Sequence, residues 1–166
     1  MSLLGRRPIK RQKDGSYAVK LTDDERDLLR ELPGELIKLI ESGQDDRSMF
    51  RLFPRAYEND LGRQVEYDRL MRDDLQNRHV EALRVLEQTA DAKTLDSEQA
   101  DAWVRALNQL RLVLGTRLDI TDDTQEDDFA EDGPTASAYA LYLYLGHLQE
   151  VTVEAMAEAF ENFENN

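Results

Sequence analysis

The segment from Ala102 to Leu118 constrains the fold more than any other part of the chain, because its apolar residues recur with the period of an α-helix. Asp96 precedes the segment, and Gln99 follows three positions later, which matches a helix-capping box. The segment therefore predicts a helix that packs along one side. The apolar residues of that side are Ala100, Trp103, Leu107, Leu110, Leu114 and Leu118.

Two helices are predicted before this segment. The first begins at the capping box formed by Thr22 and Glu25 and ends near Gly43. Pro33 and Gly34 interrupt it, but its leucines keep their phase, which favours one kinked helix over two short ones. The second helix is predicted at residues 61–89. Its expected buried side comprises Tyr67, Leu70, Met71, Leu75, Ala82, Leu83 and Leu86.

A fourth helix is predicted at residues 134–163, where Pro134 suits the first turn. Between Ala138 and Leu148 it is apolar on nearly all sides, which predicts that other helices enclose it. Residues 44–60 contain several large apolar side chains, so we expect a short helix or turn whose aromatics close one end of the core, stopped by Pro54.

The basic residues of the chain are concentrated at its start. Residues 1–20 contain six cations and one acid, although the whole chain has a formal charge of −14. Residues 6–21 alternate between apolar and polar around Asp14-Gly15, which predicts a β-hairpin. Charge that protects an edge strand is the preferred interpretation, and an arm that binds nucleic acid is the alternative. The residues of that arm would be Arg6, Arg7, Lys10, Arg11 and Lys13.

Composition excludes several kinds of chemistry. The chain has no cysteine, which excludes disulfides, thiol catalysis and Cys-ligated metal sites. Neither His79 nor His147 belongs to a metal-binding or catalytic motif, and no phosphate-binding loop is present. The acidic loop at residues 119–133 lacks the ligand order of a calcium loop. We therefore expect no cofactor, no metal and no enzymatic activity, and the absence of apolar spans and of a signal peptide predicts a cytoplasmic protein without membrane segments.

A set of polar residues on the third helix is the main candidate site. Asn108, Arg111 and Arg117 flank the Trp103 side, and Arg69 on the second helix could face them. The preferred interpretation is a salt-bridge network that fixes helix register, and the alternative is an anion or partner site between helices. A second arginine set has the same two interpretations, with pairing to nearby acids preferred over an anion site. Its members are Arg47, Arg51 and Arg55.

Two motifs carry a family resemblance. At RLFPRAY (51–57) and AWVRALNQLRLVLGTRLDIT (102–121), the chain resembles an actinobacterial family first classed as a domain of unknown function and later as AosR-like regulators of transcription under oxidative stress. The resemblance implies a regulatory protein that acts through partners such as a sigma factor or RNA polymerase. It carries no catalytic residues over to this chain. A redox switch of that kind would use a cysteine pair, which this chain lacks.

Together these features predict a mainly α single domain over residues 1–166, with a hairpin at 6–21, three helices within 22–118, an acidic loop at 119–133 and a last helix at 134–163. The preferred function is a regulatory or protein-interaction module. The sequence leaves open whether the protein forms a homodimer. The alternatives are a nucleic-acid binder that uses the basic arm and an enzyme with an anion pocket between helices.

Overall fold

Four α-helices form most of the computed structural model, which describes residues 6–43, 46–53, 61–125, 128–129 and 133–164; within these ranges it does not describe the side chains of 61, 64, 67–69 and 162–164. A three-stranded antiparallel sheet and a 3-10 helix (Arg47–Met49) complete the described part. The predicted class, a mainly α fold with an N-terminal hairpin, is confirmed. The helices are α1 (Asp23–Glu41), α2 (Leu61–Gln88), α3 (Ser97–Arg117) and α4 (Pro134–Glu164), and the strands are β1 (Ile9–Arg11), β2 (Tyr17–Val19) and β3 (Thr94–Leu95).

Helix α3 lies at the centre of the bundle, where it contacts the other three helices. Its side chain of largest volume, Trp103, is completely buried, and the Trp103 indole donates a hydrogen bond of 2.6 Å to Thr89 Oγ1 at the end of α2. The capping box is present as predicted, since the Asp96 side chain accepts from the Gln99 backbone and Gln99 accepts from the Asp96 backbone. These local signals explain why the helix begins where it does.

Helix α1 runs without interruption through Pro33, as one helix rather than two. Its capping box of Thr22 and Glu25 is present. Pro33 is buried against the core, so the packing of its ring offsets the backbone hydrogen bond that a proline removes.

The hairpin turns at Gly15, whose φ of +87° suits a residue without a side chain. Ile9 pairs with Val19, and the side chains of both are buried. The two-residue strand β3 pairs with β2 and makes a third strand that the sequence pattern did not predict. Because β1 also packs on α4, the hairpin does not depend on its own two strands for stability.

Two predictions of buried apolar faces were wrong in part. On α2, Ala82, Leu83 and Leu86 are buried as predicted, but Leu70 is 66% exposed and Met71 is 42% exposed, because the buried residues among the described side chains lie in its second half. Helix α4 is not enclosed on all sides, since Leu143 is 49% exposed. Helical periodicity shows which residues share a side, but it does not show whether another element covers that side. The side chain of Tyr67 lies outside the described residues.

The segment at 46–53 agrees with its prediction in part. It contains the 3-10 helix and buries Met49 and Leu52, but Phe50 is 56% exposed and does not close the core. Arg47 forms an ion pair with Asp119, which follows α3, rather than with a neighbouring acid. Arg51 lies over the Phe50 ring, and Arg55 and Pro54 lie outside the described residues. Across the described chain, no helix combines the length and apolar character needed to cross a bilayer.

Candidate functional site: an apolar groove over helix α3

An open groove of about 390 Å³ runs between α1 and α4, with α3 as its floor. Every apolar side chain along it is aliphatic. Because α1 and α4 both pack on α3, the leucines on their edges face the same gap. The aliphatic lining consists of Leu32, Leu36 and Leu39 from α1, Leu110, Val113 and Leu114 from α3, and Leu141 and Leu145 from α4.

The burial of these residues shows what the groove offers to a ligand. Leu36 and Leu145 are buried at its base, whereas Leu39, Leu114 and Leu141 are only half-buried. The half-buried side chains keep apolar surface in contact with water, and covering that surface contributes a favourable hydrophobic free energy of about 25 cal/mol per Å², which is set against the costs of association.

The rim of the groove is charged. Exposed Glu35 and Lys38 lie on the α1 wall, and Arg117 lies at the end of α3. Arg117 donates from Nε to Ser48 Oγ at 3.3 Å and from Nη2 to Asp46 Oδ2 at 3.4 Å. Hydrogen bonds from Ser48, with a smaller contribution from Arg117, hold the pKa of Asp46 below its usual value. The Arg117 side chain is still half exposed, so it is able to meet a ligand.

A partly buried cluster of Arg6, Glu25 and Tyr144 joins α1 to α4 outside the groove lining. Glu25, at the start of α1, accepts hydrogen bonds from Arg6 and from the Tyr144 hydroxyl, the latter at 2.7 Å. Partial burial opposes the charged form of Glu25, but the donors Arg6, Tyr144 and Thr22 outweigh it and lower its pKa to about 2. Burial and the neighbouring Glu25 raise the pKa of Tyr144, so the phenol remains protonated and continues to donate. The cluster therefore fixes the spacing of the two helices that form the groove walls.

The structure does not bring the predicted polar set together. Arg111 lies against α4, where a side chain added to Gly146 would be 3.4 Å from Arg111 Cδ, whereas Arg117 faces the 3-10 helix. Six residues separate the two arginines, which places them about 120° apart around the helix axis. Asn108 is half-buried, and the side chain of Arg69 lies outside the described residues. Of the set, Arg117 alone lines the groove.

The basic arm is partly engaged within the chain. Arg6 is paired with Glu25, and Arg7 contacts Glu158 on α4 at 3.3 Å. Arg11 is half-buried, and its Nε has no hydrogen-bond partner among the described residues. Lys10 and Lys13 are exposed. The arm is thus folded against α1 and α4.

His79 has structural contacts. His79 Nε2 lies 2.9 Å from the Leu52 carbonyl oxygen, and its ring meets Phe53 edge-on. Burial lowers the pKa of His79, which favours the neutral ring with its proton on Nε2 donating to Leu52. His147 is half-buried on α4. Within the described ranges, no group of three or more His, Asp or Glu residues is placed to hold a metal ion.

Comparison with known proteins identifies the family. A family model described as "Domain of unknown function (DUF2017)" matches residues 6–156, which is nearly the whole chain. The chain belongs to the DUF2017 family. No curated protein and no solved structure matches it. The match covers the hairpin, the four helices as far as Met156 and every residue that lines the groove, so the groove belongs to the DUF2017 domain itself.

Sequence reasoning about this DUF2017 chain missed the groove. The apolar positions of α1 were visible as a stripe, and the charged residues Glu35 and Lys38 were visible between them. The gap lies between α1 and α4 above α3, so it depends on contacts between residues far apart in sequence.

Proposed function

We propose that this DUF2017 protein is a regulatory binding module that receives an amphipathic helix of a partner protein in the groove. The observation that supports this proposal is the open groove between α1, α3 and α4, whose apolar lining is entirely aliphatic. Grooves of this kind bind a helix whose apolar side chains recur at i, i+3, i+4 and i+7. The α3 floor is aliphatic at Leu110, Val113 and Leu114, with Arg117 at its end, whereas a pocket for a polar substrate brings several polar groups together.

The rim indicates the chemistry of the partner. Lys38 on α1 and Arg117 on α3 are cations near the aliphatic lining, and Glu35 is the acid beside them. A carboxylate on the partner helix, next to its apolar side, would pair with these cations. We therefore propose a partner helix that carries Leu, Ile or Met anchors and at least one Asp or Glu flanking them.

The family resemblance suggests where the partner belongs. An AosR-like regulator would act on transcription through a sigma factor or RNA polymerase. Because this chain has no cysteine, it cannot sense oxidation through a thiol of its own. In this proposal the redox signal reaches the protein through its partner, and the groove is where the two proteins meet.

Groove variants test the proposal. Leu39→Glu and Leu141→Glu each place a charge on a half-buried wall residue, and Leu70→Glu is the control, because Leu70 is exposed on α2 far along the chain from the lining. Binding to purified sigma factors and to RNA polymerase core is measured by biolayer interferometry, with circular dichroism to confirm that each variant is folded.

We expect the groove variants to weaken binding by about tenfold or more, as for substitution of a buried interface anchor. The control should bind like the wild type. Wild-type protein that binds neither partner, or folded groove variants that bind as well as the control, would contradict the proposal.

A further inference from the structure

The outer side of α4 is a second apolar surface, distinct from the groove. Val153 is 46% exposed and Phe160 is 75% exposed, and the two lie about two helical turns apart on the same side. We call this surface the outer α4 face. It consists of the exposed residues Glu150, Val153, Ala157 and Phe160, which alternate spacings of three and four residues.

The residues of this face have the spacing that allows one helix to pack along another. Alternating steps of three and four keep one side of a helix in line with a partner over several turns. The opposite side of α4 already packs on the core through Leu145, Leu148 and Ala155. Helix α4 therefore has two apolar sides, and the described part of the chain covers only one of them.

Charge determines which helix fits. Residues 118–166 contain 13 acids and no lysine or arginine. On α4 itself, Glu150, Glu154 and Glu161 are exposed beside the apolar positions. A second copy of this face would bring like charges together, whereas a basic helix would find opposite charge both locally and in the field of a chain of −14.

The chain contains an example of a guanidinium bound by a carboxylate of α4. Arg7, from the basic N-terminal segment, donates at 3.3 Å to Glu158, on the side of α4 opposite Val153 and Phe160. A guanidinium from a distant part of the sequence thus already pairs with one α4 carboxylate. We propose that the outer α4 face binds a partner helix whose apolar stripe is flanked by lysine and arginine. This inference does not depend on the proposed function of the groove.

A pair of synthetic peptides tests the inference. One is a three-heptad peptide with Leu at positions a and d and Lys at the flanking positions, and the other has Glu in place of every Lys. Binding to the full chain is measured by fluorescence anisotropy. We expect the basic peptide to bind, the acidic peptide not to bind, and the affinity to fall as salt is raised.

Variants locate the binding. Val153→Ser with Phe160→Ser removes apolar groups that are exposed, and Glu150→Lys with Glu154→Lys reverses charge on the same face. Glu31→Lys with Glu81→Lys makes the same change in net charge at exposed acids of α1 and α2. We expect both α4 pairs to weaken binding of the basic peptide by about tenfold or more, and the matched pair by less than about threefold.

Several results would overturn the inference. Equal losses in the α4 and matched charge variants would show general attraction to an acidic protein. Equal binding of both peptides would show non-specific adhesion, and self-association abolished by Val153→Ser with Phe160→Ser would identify a second copy as the occupant. Loss of peptide binding in Leu39→Glu, with binding retained in the α4 variants, would place the basic helix in the groove instead.

Discussion

At the scale of single residues, Trp103 is where the core is most sensitive to change. Its side chain is fully buried, and its indole N–H is satisfied by Thr89. We expect Trp103→Ala to lower the free energy of unfolding by about 3–5 kcal/mol, because it leaves a cavity and removes a hydrogen bond. Since Trp103 is the one tryptophan in the sequence, urea unfolding is best followed by circular dichroism.

Leu70→Ala is the control for that substitution. Leu70 is exposed, so its truncation should change stability by less than about 0.5 kcal/mol. A loss of less than about 1 kcal/mol for Trp103→Ala would contradict the assignment of α3 to the centre of the bundle.

Glu25 gives a prediction about pH. Its pKa is lowered from 4.5 to about 2, so its charged form stabilises the folded state. That stabilisation is fully present above the unfolded value and is lost as pH falls from about 4.5 towards 2. We expect Glu25→Gln to be less stable than wild type at neutral pH and to lose less stability over the acidic range.

Urea unfolding at several pH values between neutral and about 3 measures this difference. Asp24→Asn is the matched control, because Asp24 is an exposed acid in the same helical turn. If Glu25→Gln and wild type lost stability in parallel as the pH fell, the ion cluster of Arg6, Glu25 and Tyr144 would not link α1 to α4 in solution.

At the scale of elements, the start of α3 depends on its cap. Asp96 accepts from the Gln99 backbone at 2.8 Å, which satisfies a donor that the helix itself leaves free. We expect Asp96→Ala to reduce the free energy of unfolding by about 1 kcal/mol. Ser97→Ala, at the next residue, should have a smaller effect, and equal effects in urea unfolding would argue against the capping box.

The sequence predicts the helix caps, but it does not predict which faces of the helices are covered. Each capping box, at Thr22 and at Asp96, needs only two residues three positions apart, so the sequence predicts it without knowledge of the tertiary structure. The exposure of Leu70 and Leu143 depends on which neighbours cover α2 and α4, and a periodic pattern is the same with or without those neighbours. For the same reason β3, whose two residues pair with a strand far away in the sequence, was missed.

At the scale of the whole molecule, the candidate site is a product of helix arrangement. Arg117 belongs to the polar set that the sequence predicts as the main candidate site, and it lines the groove. Asn108 and Arg111, predicted in the same set, do not line the groove, and Arg111 lies against α4. The leucines that replace them come from three helices, and only the packed bundle shows that they share one gap.

The bundle presents two apolar surfaces with different rims. The groove has cations at Lys38 and Arg117, whereas the outer α4 face has acids at Glu150 and Glu154. In the two proposals, these surfaces bind different helices, one with acids and one with lysine and arginine beside its apolar side. The central proposal is that the groove binds a partner helix, because residues of the DUF2017 match line the groove and the Glu25 cluster fixes its walls.

Photo-cross-linking from the groove tests that claim most directly. Leu114 lies half-buried in the lining, and a benzophenone amino acid in its place reacts with C–H bonds within contact distance. With purified sigma factor or RNA polymerase core, we expect an adduct whose partner site is an apolar residue of an amphipathic helix. The same probe at exposed Leu70 should give none. A partner that binds and cross-links to position 70 but not to position 114 would contradict the assignment of the groove.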